Sequence, residues 1–372
     1  MLVLKNLLRR KVRTALSLLG IAIGIAAIIA FHGVAGGFER SLNQYGAQTG
    51  ANLLVMERNI PDPQFSRLKA EEVKEILSLE EGMEVARVAF TVTIPKGAGV
   101  KAGFPALFVF GRNPEERAIA RYKNEDLKGR LPSRDDEMML GTVAAEKLKK
   151  NPGDEMDLFP GKTFRVVGIY TVGIPWENVA AVVSTRAIQD KLKMGDSCTM
   201  GFLYLKNPST LQAVRTKIED RFPHLIAVKS EELAGHLENF EYIEWFVWVI
   251  SLVSVMIGGL GILNTMIMSV SERTREIGTL RAVGWSCRRV VGMILSEGLV
   301  LSFLGGVVGV ILGVSGAELI LIWAPKGYLG TFYPPDLFAK AMAISIGLGF
   351  FGSLYPALRA SRLSPIEALR YE

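Results

Sequence analysis

Four long segments of the 372-residue chain are almost free of charged side chains, and this feature constrains the fold more than any other. They are residues 14–37, 246–270, 290–317 and 341–358, and Glu297 is the one charge within them. A helix rises about 1.5 Å per residue and the hydrocarbon of a bilayer is about 30 Å thick, so each segment can cross it. The chain is therefore predicted to be an α-helical membrane protein with four transmembrane helices, and a wholly soluble protein is excluded.

The block between the first two segments, residues 38–245, has the composition of a water-soluble domain, with 28 Lys and Arg against 30 Asp and Glu. Strand-like and helical runs follow one another irregularly, which favours an α+β arrangement over a repeated βαβ sheet. We therefore expect an α+β extracytoplasmic domain between helices 1 and 2, of one or two subdomains. The strand-like runs are 52–57, 85–94, 106–111, 163–170, 180–184 and 202–205, and the helical runs between them include 70–79, 143–150 and 210–222.

The basic residues of the membrane part indicate the orientation of the chain. They concentrate in the N-terminal stretch 1–13, the loop 271–289 and the tail 359–372. Cytoplasmic loops carry an excess of Lys and Arg, so these three segments and both termini are expected inside. The domain 38–245 and the connection 318–340, whose charges balance, are then expected outside. Apolar and basic residues at helical spacing within 1–13 predict an amphipathic helix on the membrane surface.

The large block contains no recognisable catalytic motif, and no nucleic-acid-binding stripe of basic and aromatic residues. Residues 161–163, Gly-Lys-Thr, lack the earlier glycine and the following helix of a phosphate-binding loop, so a hairpin turn is predicted there. The acid run 135–137 is interpreted as a solvated turn rather than a metal site. Cys198 and Cys287 are expected on opposite sides of the membrane and cannot pair, and no Cys/His cluster indicates a metal.

Apolar residues continue at helical spacing beyond the first span, at Phe38 and Leu42, and before the second, at Leu233, Leu237 and Phe240. This pattern predicts two amphipathic helical stalks that join the outer domain to the membrane. The stalks either carry movement between membrane and domain or only hold the domain in place. The pattern itself leaves both readings open.

Two cytoplasmic segments have the pattern of short surface helices. In the loop 271–289, Ile277, Leu280 and Gly284 fall on one face between charged residues, and the glycine suits a helix C-terminus. In the tail, the sequence resembles a capping box followed by a basic residue. Its residues are Ser364, Pro365, Glu367 and Arg370.

Glycines in two spans favour close helix packing, and one span contains an acid. Gly20 and Gly24 form a GxxxG motif in the first span, and Gly305, Gly309 and Gly313 line one side of the third. We expect the second set to pack within the chain and leave a dimer contact open. For the acid, Glu297, a structural role such as pairing with a nearby arginine is favoured over a functional one.

Several stretches of the sequence resemble the MacB/FtsX-like permeases of ABC transporters, and together they run along almost the whole chain. They are RRKVRTALSLLGIAIGIAAIIA at 9–30, GDEMDLFPGKTFRVVGIY at 153–170, SERTREIGTLRAVG at 271–284, LSEGLVLSFLGGVVG at 295–309 and YPALRASRLSPIEALRYE at 355–372. The resemblance implies that the loop between spans two and three is a coupling helix, which docks on an ATP-hydrolysing subunit. The residues assigned to this role are Glu272, Arg273, Arg275, Glu276, Ile277, Gly278, Leu280, Arg281 and Gly284.

The resemblance also implies the partners and the place of the protein. ATP and Mg²⁺ would be bound by a separate ATPase subunit, and this chain would bind no cofactor and catalyse no reaction. A second permease copy, identical or paired, is expected, with a periplasmic adaptor or outer-membrane duct left open. The protein is expected in the bacterial inner membrane.

Two functions of different classes are favoured by the sequence, and a third, a ligand-binding sensor unrelated to ATP, is disfavoured by the match to a coupling helix. The first is a permease subunit that couples ATP hydrolysis to movement of the outer domain and exports or extracts an amphipathic or hydrophobic substrate. The second is an FtsX-like signalling protein that activates a periplasmic cell-wall hydrolase without transport. An apolar pocket in the outer domain would favour the first, and a flat protein-binding patch the second.

Overall fold

The computed structural model describes residues 11–95, 106–113, 117–120, 122, 126–323 and 330–363. The described residues form two compact units. The helical unit comprises those within 1–36, 244–320 and 331–372, and the mixed unit those within 37–243 and 321–330. Each unit has its own buried core.

The elements of the described chain are as follows, numbered along the sequence. The helices are α1 (Lys11–Gln48), α2 (Ala70–Leu77), α3 (Arg117–Ala120), α4 (Thr142–Leu148), α5 (Thr185–Leu192), α6 (Leu211–Arg221), α7 (Glu238–Glu272), α8 (Thr274–Ala282), α9 (Cys287–Trp323) and α10 (Pro335–Ser361). The strands are β1 (Leu53–Glu57), β2 (Glu84–Thr93), β3 (Leu107–Gly111), β4 (Asp126–Gly129), β5 (Glu137–Gly141), β6 (Glu155–Phe159), β7 (Lys162–Thr171), β8 (Ala180–Val183), β9 (Met200–Tyr204) and β10 (Leu225–Lys229).

Helices α1, α7, α9 and α10 are long and apolar enough to cross a membrane. Their most apolar windows have mean hydropathies of 2.4, 2.4, 2.2 and 1.6. Many large apolar side chains on them are exposed in the isolated chain, for example Ile257, Leu260 and Ile320. Surfaces of this kind suit a hydrocarbon environment. The prediction of four membrane helices is confirmed.

Small residues on α9 let α1 approach it closely within the helical unit. A Cβ atom added at Gly309 would lie 2.7 Å from the Cβ of Ile25, which is closer than such atoms pack. Glycine is therefore required there for this packing. The same arrangement repeats at each turn, in the pairs Gly305 with Ile21, Gly309 with Ile25 and Gly313 with Ile29.

A second stripe of small residues on α9 meets α10. The hydroxyl of Ser345 donates a hydrogen bond of 2.6 Å to the carbonyl oxygen of Ser302, so the two backbones are in close contact. Each glycine of this stripe leaves room for a serine of the other helix. The pairs are Gly298 with Ser353, Ser302 with Gly349 and Gly306 with Ser345.

The mixed unit is built on a sheet with the strand order β10-β1-β9-β2-β3-β8-β5-β7-β4, in which β6 also pairs with β7. The β3/β8 and β5/β7 pairs are parallel and the others are antiparallel. Parallel pairs need long crossover connections, whereas hairpins join antiparallel ones. The sheet thus confirms an α+β domain rather than a repeated βαβ fold. Gly161, with φ of 75°, forms the turn of the β6–β7 hairpin, as its sequence predicted.

Alternation of side chains along the sheet separates two cores. In β1, Leu53 and Val55 point to the face covered by α2 and α6. Leu54 and Met56 point to the opposite face and join the larger core of the unit. Tyr45, near the end of α1, is buried in that larger core, so the final turns of this helix form part of the mixed unit.

The structure contains elements that the sequence did not predict, namely β4, β5, β6, β10, α3 and α5. It also corrects the second stalk. Leu233 and Leu237 belong to a segment of 3₁₀ turns, Ser230–Glu232 and Ala234–His236, and α7 begins only at Glu238. Both leucines are buried in the larger core of the mixed unit, so the prediction that they lie on a helical stalk is wrong. Phe240 lies in α7, but its side chain is outside the described part.

The acid run 135–137 is only partly a solvated turn. Asp135 and Asp136 are exposed, whereas Glu137 starts β5 with a side chain only 6% exposed. Nη1 of Arg130 donates a hydrogen bond of 2.7 Å to Oε2 of Glu137, and the backbone N–H of Ser133 donates one of 2.9 Å to the same oxygen. The hydrogen bonds from Arg130 hold the pKa of Glu137 at about 2, below its ordinary value. The prediction of a solvated acid is therefore wrong for Glu137.

Candidate functional site

The short helix α8 follows α7 after a break of one residue. Arg273, between them, has φ of −110° and ψ of 15°, which ends the helical backbone of α7. At the other end, Gly284 has φ of 98° and its N–H donates to the carbonyl oxygen of Arg281. A glycine in this conformation is a common helix end. The structure confirms the short helix and its glycine end that the sequence predicts.

Arg273 ties α8 to the next membrane helix. Its Nη1 donates hydrogen bonds of 2.8 and 3.0 Å to the two carboxylate oxygens of Glu297 on α9. Its Nε donates a hydrogen bond of 2.9 Å to Glu276 on α8. The Glu297 side chain is 6% exposed and the Arg273 side chain 17%, so the pair is shielded from water. Glu297 therefore has an arginine partner, which was one of the alternatives open from the sequence.

The two faces of α8 differ in burial. Ile277 and Gly278 are buried, and Ile277 packs into the core of the helical unit. Leu280 and Arg281 are half-buried, and Arg281 donates a hydrogen bond of 2.9 Å to the carbonyl oxygen of Trp285. The outward face carries charged, polar and apolar groups that a partner protein could contact. Its exposed residues are Arg275, Glu276, Thr279 and Ala282, and the exposed Glu272 and Val283 flank the helix.

The remaining predicted membrane residues have different surroundings. Gly24 faces α7, where an added Cβ would lie 3.0 Å from the carbonyl oxygen of Ser254. Among the described residues, no atom lies within 4 Å of the corresponding position at Gly20, so within that part of the chain Gly24 alone of the GxxxG motif makes a close contact. The tail residues lie outside the described part of the chain. They are Ser364, Pro365, Glu367 and Arg370.

A second feature is a cavity of about 420 Å³ inside the mixed unit. Four of the five residues that the sequence assigned to stalks line it, namely Phe38, Leu42, Leu233 and Leu237. The structure therefore brings together residues from the two ends of the domain sequence. Phe38 and Leu42 lie on the helical continuation of α1 beyond the first span, as the sequence predicts, whereas Leu233 and Leu237 do not lie on a long helix.

Aromatic side chains form one wall of the cavity. Trp176 lies at the centre of this wall, with its ring centroid 5.1 Å from that of Tyr45, 5.6 Å from Phe108 and 5.7 Å from Phe110. Phe90 stands 5.2 Å from Phe110. Contacts at such distances are typical of packed aromatic clusters. The sequence does not single out Phe90, Phe108, Phe110 or Trp176, because their common wall exists only once distant strands are paired.

A buried charged pair lies behind this wall. The side chains of Arg112 and Glu177 are both fully buried, and Nη2 of Arg112 lies 3.9 Å from Oε1 of Glu177. The same nitrogen donates a hydrogen bond of 2.9 Å to the Tyr45 hydroxyl, and the Tyr122 hydroxyl donates one to Glu177. Buried charges are tolerated when they are paired and hydrogen-bonded. The hydrogen bond from Arg112 holds Tyr45 of the aromatic wall in place, and the charges of Arg112 and Glu177 compensate each other.

The fold defines a class: a four-span membrane protein with a mixed α/β domain after the first span and a short helix between the second and third. The profile of the family described as "MacB-like periplasmic core domain" matches residues 14–221, more than half of the chain, and that of "FtsX-like permease C-terminal" matches residues 248–365. The chain belongs to the MacB/FtsX-like permease family of ABC transporters. It is thus a permease-type protein of the inner membrane.

Individual relatives cover the chain almost completely. The "Macrolide export ATP-binding/permease protein MacB" of Bdellovibrio bacteriovorus is 27% identical over 416 residues, covering 99% of this chain and 61% of that protein. The chain thus spans about three fifths of the length of such relatives. The "Uncharacterized ABC transporter permease YvrN" of Bacillus subtilis is 25% identical and is covered to 98%. The solved periplasmic region of MacB from Actinobacillus actinomycetemcomitans is 14% identical, covers 51% of this chain and has a TM-score of 0.38.

Proposed function

We propose that the chain is the permease subunit of a MacB-like ABC transporter. It couples ATP hydrolysis by a separate nucleotide-binding subunit to movement of its outer domain, and it exports or extracts an amphipathic or hydrophobic substrate. The observation that carries this proposal is the anchoring of α8 by Arg273 to Glu297, while its outward face stays exposed.

A short helix held in this way suits the transmission of force. Ile277 packs into the helical core on one side, and the ion pair joins the start of α8 to α9. A docked partner that displaces α8 therefore also pulls on α9, through packing and a charged hydrogen bond, and the movement is not lost in a flexible loop. The mixed charge of the exposed face, with Arg275 beside Glu276, offers complementary contacts to a protein partner.

Orientation and assembly complete the proposal. The excess of Lys and Arg near α8 and at the ends of the spans supports a cytoplasmic α8 and a mixed unit outside. Two permease copies would work with two ATPase subunits. An adaptor or outer-membrane duct is a further possible partner in a cell with two membranes.

The cavity of the mixed unit favours transport over signalling. A concave, mostly apolar space with few polar groups is the usual form of a site for a small ligand. A signalling protein that only activates a hydrolase would need an exposed contact surface and no such cavity. The signalling alternative therefore receives no support from this feature.

The test is affinity purification of the chain from its native membrane in mild detergent, with mass spectrometry and an ATPase assay of the eluate. We expect an ATP-binding subunit to accompany the chain. Leu280→Pro, which breaks α8 in its interior, should abolish the coupled hydrolysis, whereas Leu280→Ala, which keeps the helix, should retain most of it.

Two outcomes would contradict the proposal. One is the recovery of a periplasmic hydrolase with no substrate movement in reconstituted vesicles, which supports the signalling alternative. The other is normal ATPase stimulation by the Leu280→Pro variant, which would show that α8 is not the coupling element. Membrane insertion and a single, monodisperse elution peak of the same variant serve as the control for folding.

A further inference from the structure

The cavity of the mixed unit has the size and lining of a ligand site. Its volume of about 420 Å³ lies within the range of about 300–1,000 Å³ that is typical of small-molecule pockets. Its walls come from the end of α1, from β2, β3 and β9, and from the segment that leads into α7. Regular elements surround it on several sides, so its shape is fixed by the fold rather than by one loop.

Aromatic rings make up much of the cavity lining. Phe38, Phe90, Phe108, Phe110 and Trp176 all line the cavity. The face of an aromatic ring carries negative partial charge and attracts an organic cation within about 6 Å. The same faces bury apolar groups. The wall therefore suits a ligand that is both hydrophobic and positively charged.

One carboxylate lies at this cavity. Asp62, between Pro61 and Pro63, is the only charged side chain among the described residues that line it. Its Oδ1 accepts a hydrogen bond of 3.0 Å from the backbone N–H of Gln64. Within the described part of the chain, Oδ2 accepts no hydrogen bond and no cationic side chain pairs with Asp62. Burial raises the pKa of Asp62 above its ordinary value, in line with a carboxylate that lacks a cation.

Charge decides between the classes of ligand. The buried pair of Arg112 and Glu177 behind the wall is compensated internally, so Asp62 supplies the net charge at the cavity. An anion would be repelled by Asp62. A neutral ligand would cover the carboxylate without giving it a partner, which costs free energy. A cation would both neutralise the carboxylate and contact the ring faces.

We infer that this cavity binds a hydrophobic organic cation, with the apolar part against the aromatic wall and the charged group at Asp62. The inference deepens the proposed function, on which it rests for the claim that the ligand is cargo. It gives the chemical class of the substrate as a lipophilic amine, quaternary ammonium or phosphonium compound. The binding itself requires no ATPase subunit.

The test is equilibrium dialysis of radiolabelled methyltriphenylphosphonium against the full-length chain in lipid nanodiscs, with empty nanodiscs subtracted. Triphenylphosphine oxide, a neutral compound of similar shape, is measured in parallel. We expect saturable binding of the cation and at least tenfold weaker binding of the neutral compound.

Three variants test the charge of Asp62, the free volume of the cavity and the effect of a similar substitution outside the cavity. Asp62→Asn keeps the hydrogen bond to Gln64, because asparagine caps as well as aspartate, and should weaken cation binding about tenfold while leaving the neutral compound unchanged. Leu42→Trp fills the cavity and should abolish binding of both compounds. Asp154→Asn is the matched control, since Asp154 also accepts a turn hydrogen bond, from Asn151, but does not line the cavity. It should bind like the unchanged chain.

The inference is overturned if Asp62→Asn binds the cation as tightly as the unchanged chain, or if Leu42→Trp retains it. Equal binding of the neutral compound would also refute the charge assignment. Because no ATPase is present in this assay, its failure does not depend on the coupling proposal. Conversely, if the cation binds but no ATPase subunit co-purifies with the chain, the ligand site stands and the coupling role is refuted.

Discussion

Arg273 and Glu297 form a two-pronged ion pair, 2.8 and 3.0 Å long, between the start of the short helix α8 and the body of α9. The two residues are 24 positions apart in the sequence. Arg273 also contacts Glu276, so it joins two acids of different burial. The contribution of the buried contact with Glu297 can therefore be compared with that of the exposed contact with Glu276, because both use the same arginine.

The first prediction concerns this pair. Arg273→Met leaves Glu297 without its partner in a shielded site, and should destabilise the protein by about 3 kcal/mol. Glu276→Gln, which removes only the exposed contact, should cost less than about 0.5 kcal/mol. Thermal unfolding of the nanodisc-embedded chain measures both. The double variant Arg273→Met/Glu297→Gln should be less destabilised than the sum of the single variants, and simple additivity would show that the pair contributes no coupling.

The second prediction concerns the acid that the structure shows to be buried. The pKa of Glu137 is lowered from 4.5 to about 2 by its hydrogen bonds with Arg130. A lowered folded-state pKa stabilises the protein above the unfolded value, and this contribution is lost as the pH falls from about 4.5 towards 2. Melting temperatures of the unchanged chain and of Glu137→Gln should therefore differ at pH 7 and converge near pH 2–3. A difference that is constant with pH would refute this assignment.

The third prediction tests the contact between α9 and α1. Gly309→Ala would place a Cβ 2.7 Å from Ile25 and 2.8 Å from the carbonyl oxygen of Ala22, so the helices must move apart. We expect a cost of about 1–3 kcal/mol, measured as a lower melting temperature. Gly316→Ala on the same helix is the control, because no atom lies within 4 Å of its added Cβ. Equal effects of the two substitutions would contradict the close packing.

The fourth prediction concerns orientation and uses the native thiols. Cys287 is exposed, whereas Cys198 is fully buried. A membrane-impermeant maleimide should leave intact cells or spheroplasts unlabelled and should label Cys287 in inverted vesicles. Ala213→Cys adds an exposed thiol on α6 of the mixed unit and should give labelling from the opposite side. Labelling of Cys287 from outside would reverse the proposed orientation.

The membrane part follows closely from sequence because its physical signal is strong. Segments without charge can be stable as helices in hydrocarbon, so four helices are expected where the charges are missing. The end of α8 is also predictable, since Gly284 adopts a backbone conformation that other residues avoid. The turn at Gly161 follows for the same reason.

Other elements are invisible in the sequence because partners distant in the chain create them. Strand β4 is short and largely exposed, and it forms by pairing with β7 rather than by burying an apolar face. Leu233 and Leu237 have helical spacing, yet the core they enter favours 3₁₀ turns. Glu137 looks like a solvated acid until Arg130 is seen beside it. The ion pair of Arg273 and Glu297 could be suspected from the sequence, but its partner could not be chosen.

The cavity of the mixed unit also has a consequence for biosynthesis. Phe38 and Leu42 enter its wall at the beginning of the domain sequence, whereas Leu233, Leu237 and Ile243 enter at the very end. Contacts between residues about 200 positions apart form late, because the intervening loop must close first. A nascent domain lacking those final residues would hold no complete site. A compound that fills the cavity therefore cannot bind early intermediates, and it would act on the completed domain as a pharmacological stabiliser.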